Sequence, residues 1–180
     1  MLSANYVYTL PIFAHGMGLA HRLLGGWQIA GTAIGETGTI PSNQGLGLNI
    51  GYDTVGLGGG YTNRPDVVKK VHYVKKAGEW FDPSSFAAPK PAWAGGLNQG
   101  FGDARKDAVV GPGLVNFDTS LYKSFAITEA SHFEMRFESF NTFNHTEFDG
   151  LSTSLGNGNF GAVTSTRDPR TLELGAKFVY

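Results

Sequence analysis

A chain of 180 residues suffices for one domain with a sizeable core, and its formal net charge of -1 offers little attraction to nucleic acid or to an anionic membrane surface. The absence of cysteine excludes a disulfide framework and thiolate chemistry. Glycine is the outlier, with 26 residues beside 8 prolines, while aromatics reach 13% and charged residues only 16%, a mixture that suits many strands joined by turns. The opening "MLSANYVYTL" has neither the basic nor the apolar region of a secretory signal, and no apolar run is long enough for a transmembrane helix.

In chain order, Tyr6, Tyr8, Leu10 and Ile12 alternate with Asn5, Val7, Thr9 and Pro11, which predicts a strand ended by Pro11 and the glycines beyond it. After "IFAHGMGLAHRLLGG" a second alternation sets Trp27, Ile29, Gly31 and Ala33 against Gln28, Thr32 and Glu36. Residues 39–113 are dense in Gly, Pro, Asn and Ser and read as one long loop, with short pairings such as "VHYV" inside it. Lys69, Lys70, Lys75 and Lys76 read there as solvated charge. A compact soluble domain rarely carries so long an irregular stretch, so either the loop is functional or the chain is not such a domain.

The last third alternates most clearly. Val115, Phe117, Thr119 and Leu121 oppose Asn116, Asp118, Ser120 and Tyr122, and after the short turn "ITEAS" Phe133, Met135 and Phe137 oppose Glu134, Arg136 and Glu138, which predicts an antiparallel hairpin. A loop "NHTEFDGLSTSLGNGNFG" leads to a last strand with Leu172, Leu174, Ala176, Phe178 and Tyr180 on one face.

The resulting expectation is an all-β chain, an antiparallel meander of about five long strands forming part of a large transmembrane β-barrel. Strands of roughly ten residues match the span of a bilayer core, and short turns at one end with long loops at the other are the outer-membrane pattern. With the long loops outside, Asn116, Asp118, Glu134, Arg136 and Glu138 become a lumen wall, with cross-strand pairs to Asp118 or Lys177. Trp27, Phe125 and Phe133 fall at the periplasmic interface as an aromatic girdle beside Phe178 and Tyr180. Lys123 is expected to face lipid only near that interface, where its head can snorkel.

The final "ELGAKFVY" resembles the C-terminal assembly signal of outer-membrane barrels, with Glu173, Gly175, Phe178 and Tyr180 in its characteristic places. That likeness implies a strand presented as an edge to the barrel-assembly machinery. More widely, "LLGGWQIAGTAIGETGTIPS", "NRPDVV", "WFDPSSFAAP", "FGDARKDAVVGPGLVNFDTSLYKSF", "FEMRFESFNTFNHTEFD" and "NFGAVTSTRDPRTLELGAKFVY" resemble, in order, the C-terminal end of Oar-like TonB-dependent outer-membrane receptors of acidobacterial type. The resemblance implies residence in the bacterial outer membrane, a role in substrate uptake, and residues 1–180 as a C-terminal barrel fragment in which 39–113 is an extracellular loop. It implies as partners the membrane lipid, the remaining barrel and plug, and TonB through an N-terminal part missing here. Five strands cannot close a barrel, whose smallest membrane forms have about eight.

No enzyme chemistry is expected. His145, Glu147 and Asp149 alternate and could offer metal ligands, but they read as a polar loop; "GLGGG" lacks the context of a phosphate loop, and His15 and His21 lack zinc spacing. No catalytic residue, metal or cofactor is assigned. The rival expectation is a soluble all-β carbohydrate-binding module that stacks sugars on Trp80, Trp93 and Tyr61.

Overall fold

The computed structural model describes residues 1–13, 18–41, 47–58, 62–95 and 100–180. In chain order the strands and the one α-helix among the described residues are β1 (Leu2–Thr9), α1 (Leu19–Leu24), β2 (Gln28–Glu36), β3 (Asp66–Val67), β4 (Tyr73–Lys76), β5 (Glu79–Phe81), β6 (Phe86–Ala87), β7 (Leu114–Ala126), β8 (His132–Phe140), β9 (Phe148–Leu151), β10 (Val163–Thr166) and β11 (Thr171–Val179). They belong to two compact units.

The first unit comprises Met1–Glu36, Leu114–Glu147 and Asp168–Tyr180 and holds one five-stranded sheet in the order β1-β2-β7-β8-β11. Every neighbouring pair is antiparallel, so the meander expected from the alternation is the fold observed. Its strands run from 8 to 13 residues, the length of barrel strands. Boundaries differ from the sequence reading by a few residues: β1 starts at Leu2 and stops at Thr9, so Leu10 and Ile12 lie beyond it. Thr128 closes the β7–β8 turn, its hydroxyl 2.7 Å from that of Ser131. Both long connections leave the same end of this sheet, where Glu36 pairs with Leu114 and Phe140 with Thr171.

The second unit comprises Thr37–Gly113 and Phe148–Arg167. Here the sequence reading falls short, because 39–113 is more than a loop. Phe81, Phe86 and Phe160 meet edge to face at 5.3 to 5.9 Å around a core completed by Leu48, Ala104 and Val109. Burying each phenyl ring stabilises by about 1.5–3 kcal/mol. The two chain segments are also joined by backbone: Asn49 N–H donates to Thr153 and Leu155 N–H returns to Asn49, while Trp80 N–H donates to Gly161 and Val163 N–H to Ala77, all at 2.8 to 2.9 Å. "VHYV" does contribute to a pairing, through β4 with β5, which carries a bulge between Tyr73 and Lys76.

Charge in this unit is held locally. The Ser84 hydroxyl at 2.6 Å and the Lys69 ammonium at 2.9 Å, with the Ser84 N–H, hold the Asp82 carboxyl at about 2, below its ordinary 3.8. A carboxyl depressed on folding contributes stability that is complete above its unfolded value and lost as pH falls through the folded one, so the window is about pH 4 to 2. Carboxyl carbon shifts followed by NMR against pH should give Asp82 a midpoint near 2. Ser84→Ala should raise that midpoint most and Lys69→Met less; no rise with Ser84→Ala would remove the hydroxyl as its main cause.

Candidate functional site: a two-faced barrel wall

Register decides what the sheet of the first unit presents. Leu121 lies between Ile29 of β2 and Phe137 of β8, and Phe137 faces Leu174 of β11. One step along, Ser120 lies between Ala30 and Glu138, and Glu138 faces Glu173. Since side chains alternate with period two, this register brings Tyr6 and Tyr8 of β1, Ile29 of β2 and, apart from Leu114 and Phe140, the Phe and Leu positions of β7, β8 and β11 onto one face, while Val7, Ala30 and Ile34 lie on the other. That face is open: Phe117, Phe137, Leu172 and Phe178 are all exposed, and Leu174 is 72% exposed.

Two polar features on the apolar face are satisfied internally. The Tyr6 phenol crosses Gly31 to reach the Thr119 hydroxyl at 3.1 Å, and a Cβ at position 31 would collide with the Tyr6 ring and the Asp118 carbonyl. Lys123, expected to snorkel toward water, is instead 2% exposed. Its ammonium donates to the Gly25 carbonyl and sits 4.8 Å from the Phe125 ring centre and 5.6 Å from that of Trp27. The turn after α1 brings Gly25 and Trp27 within reach of the β7 side chain, which holds the ammonium inside instead of at the water interface. Lys123→Met should therefore destabilise by about 1–3 kcal/mol, the cost of an abandoned buried carbonyl. A lysine in lipid would give the opposite sign, and denaturant unfolding in lipid vesicles distinguishes the two.

The opposite face carries Asn116, Asp118, Glu134, Arg136 and Glu138 together, as their spacing predicts. Glu134 lies opposite Lys177 and 3.0 Å from His132 Nε2, and Tyr122 lies opposite Arg136. Tyr122, Glu134, Arg136, Glu138 and Lys177, with Gly175, line a hollow of about 200 Å³. The expected pairing with Asp118 does not form. Asp118 instead accepts from Asn116 at 3.0 Å and from the Asn141 N–H at 2.9 Å, because β7 places it toward the other end of the sheet. Glu138 faces Glu173, a like-charge pair that favours a solvated wall over a packed one.

At the short-connection end, Phe125 meets Trp27 edge to face and lies beside Phe133, both at 6.4 Å, and Phe133 pairs with Phe178, which stacks on Tyr180 at 6.1 Å. Glu173 and Gly175 point to the polar face of β11, and Phe178 to the apolar face, as is visible from their partners Glu138, Arg136 and Phe133. Tyr180 follows as the last residue, 95% exposed.

Sequence reasoning missed Asn141. Its side chain donates to the His145 carbonyl at 2.9 Å and to the Asp168 carbonyl at 3.3 Å, and accepts from the His145 N–H at 3.0 Å. Its backbone is left-handed at φ 49°, a conformation Asn tolerates better than most residues. The signal was the Asn-rich "NTFNH" directly after a strand. In the same turn Glu147 is buried, its carboxylate 2.6 Å from His145 Nδ1, where a solvated polar loop was expected. Among the described residues no group of three or more His, Asp or Glu is placed to hold a metal ion. His15, Tyr61 and the end of "GLGGG" lie outside the described residues.

Of the stacking residues in the rival reading, Tyr61 lies outside the described residues. Trp80 is half-buried, donating from Nε1 to the Val110 carbonyl at 2.9 Å and packing edge to face on Phe148, while Trp93 is 88% exposed.

An antiparallel meander of membrane-length strands, polar on one face and openly apolar on the other, is a segment of a transmembrane β-barrel wall. The comparison with protein families agrees: the model of the outer membrane beta barrel domain matches residues 1–173, and the chain belongs to that family. This places it in the bacterial outer membrane and sets aside the soluble module. No curated protein and no solved structure matches the chain.

Proposed function

We propose that the chain supplies the closing strands and substrate-contacting loops of an Oar-like TonB-dependent receptor, and that its part in the intact receptor is substrate uptake. The observation that carries this reading is the pair of long connections leaving one end of the wall and folding into a unit with its own core. Loops on the outer side of a barrel are where binding residues concentrate. The apolar face then contacts lipid, and Trp27, Phe125 and Phe133 form the periplasmic girdle. Asn116, Asp118, Glu134, Arg136 and Glu138 line the lumen, and Glu173, Gly175, Phe178 and Tyr180 address the strand to the assembly machinery. The role is one of wall and recognition, without catalysis; a plug and TonB act through the rest of the receptor.

Sequencing the genomic DNA upstream of the Met1 codon tests the receptor. The expected result is an open frame encoding further alternating strands, a plug and a TonB-contacting segment. A stop codon with a ribosome-binding site directly before Met1 would overturn the receptor and leave the outer-membrane wall standing.

A further inference from the structure

The whole-chain charge of -1 hides a local excess of cations at the short-connection end of the wall. Residues 10–27, which join β1 to β2, contain His15, His21 and Arg22 and no Asp or Glu. Helix α1 lies in this connection, and between it and the last residues of β7 is a cleft of about 450 Å³, a size that small ligands fill. Its walls include Leu19, His21, Arg22 and Leu23 of α1 and Lys123 and Phe125 of β7. None of the described side chains lining it is acidic, and Glu129 of the β7–β8 turn is not among them.

Lys123 is the unbalanced charge. It is 2% exposed, and the Gly25 carbonyl takes one of the three donors of its ammonium. The Phe125 and Trp27 rings meet part of the charge. Among the described residues neither Lys123 nor Arg22 forms an ion pair, and a buried ammonium without a counter-ion is costly. His21 Nδ1 is engaged with the Phe13 carbonyl at 2.6 Å, so Arg22 and Lys123 are the cations left for an anion entering the cleft. Beside them is apolar surface: Leu19 is 73% and Leu23 49% exposed, and residues four apart share a helix face. All of this lies at the level of Trp27 and Phe125, where interfacial aromatics mark the meeting of headgroups and acyl chains.

We propose that the cleft binds an anionic phospholipid of the inner leaflet of the outer membrane. Its phosphate is held between Arg22 and Lys123, and its glycerol and first methylenes lie against Leu19, Leu23 and Phe125. Charge complementarity beside a leucine face selects an amphipathic anion over a soluble one. The site rests on the wall reading and on the direction that puts the short connections in the periplasm, and it adds a ligand class and the residues that hold it.

Native mass spectrometry of the intact protein, purified in detergent from the outer membrane, measures its affinity for phosphatidylglycerol and for phosphatidylcholine. Phosphatidylglycerol is expected to bind more tightly. Arg22→Gln, at an exposed position that leaves the fold intact, should weaken it about fivefold, the effect of one cation near an anionic lipid surface, and leave phosphatidylcholine unchanged. Lys76→Gln, which removes one cation from the second unit, should keep the preference. Equal affinity for the two lipids, no weakening by Arg22→Gln, an equal weakening by Lys76→Gln, or displacement of the lipid by glycerol phosphate at equal concentration would overturn the site. Ala20→Cys, on the exposed surface of α1, tests the direction separately. A membrane-impermeant maleimide is expected to label it only after the outer membrane is opened; labelling in intact cells would defeat the periplasmic placement, and with it the leaflet, independently of the lipid preference.

Discussion

Leu121→Arg is expected to destabilise the assembled wall by about 2–4 kcal/mol, the cost of a guanidinium on the lipid face near the bilayer midplane. Leu121 lies near the middle of β7, flanked by Ile29 and Phe137, so the new charge meets no polar partner across either neighbour. Phe137→Arg, at the partnered position on β8, should cost a similar amount. Ser120→Arg is the control: one residue along, it points to the face of Glu138 and Asp118, where water and a carboxylate receive the charge. Its effect should stay within about 0.5 kcal/mol. Denaturant unfolding of the intact protein in phosphatidylcholine vesicles measures all three. Equal costs at 120 and 121 would mean that both faces are packed against protein, and the one-sided wall would be wrong.

The second large effect is expected at Asn141. Removing its side chain in Asn141→Ala deletes three hydrogen bonds at a buried position, two donated to carbonyls and one accepted from His145. At about 1 kcal/mol each the loss is roughly 3 kcal/mol. Alanine also tolerates the left-handed backbone at φ 49° less well than asparagine, which adds about 1 kcal/mol. Asn141→Gly separates the two contributions, because glycine removes the same hydrogen bonds but relieves the backbone. It should be less damaging than alanine by about 1 kcal/mol. If alanine and glycine are both within 0.5 kcal/mol of the unsubstituted protein, a magnitude typical of exposed loop positions, the hub carries no stability.

The turn around Asn141 also ties β8 to the strands on either side of it. Thr142 N–H donates to Phe117 on β7 at 2.7 Å, and Asn144 accepts from the Arg170 N–H just before β11 at 3.0 Å. The turn that follows β8 thus reaches both neighbouring strands. Its loss is expected to appear as fraying of the long-connection end rather than as a change in register at the Phe125 end, where Trp27 and Phe133 hold the strands.

Much of the wall was legible because a strand places alternate residues on opposite faces whatever its surroundings. The five alternating segments and the shared polar face of Asn116, Asp118, Glu134, Arg136 and Glu138 follow from that local rule, and the short turn "ITEAS" adds the antiparallel pairing of β7 with β8. The resemblance reached the outer membrane by a second route, and the family match over residues 1–173 agrees with it. The core of the second unit was illegible for the converse reason. Phe86 and Phe160 stand among turn-forming residues and Phe81 ends a strand of three, so no period marks them, and they become a core only when separate connections meet.

Lys123 shows the same division at one residue. Alternation puts a lysine on an apolar face, but only the folded chain brings the Gly25 carbonyl, 98 residues away in sequence, to its ammonium. Asn141 likewise looks like ordinary loop composition until Asp118, His145 and Asp168 gather around it. The sequence by itself determined strand periodicity, the two faces of the wall and the class of protein, because these depend on side chains one or two residues apart. Only the tertiary structure decided the second unit's core, the partner of Lys123 and the Asn141 hub. Each of these depends on which distant segments come within a few ångströms, and chain spacing alone does not encode that meeting.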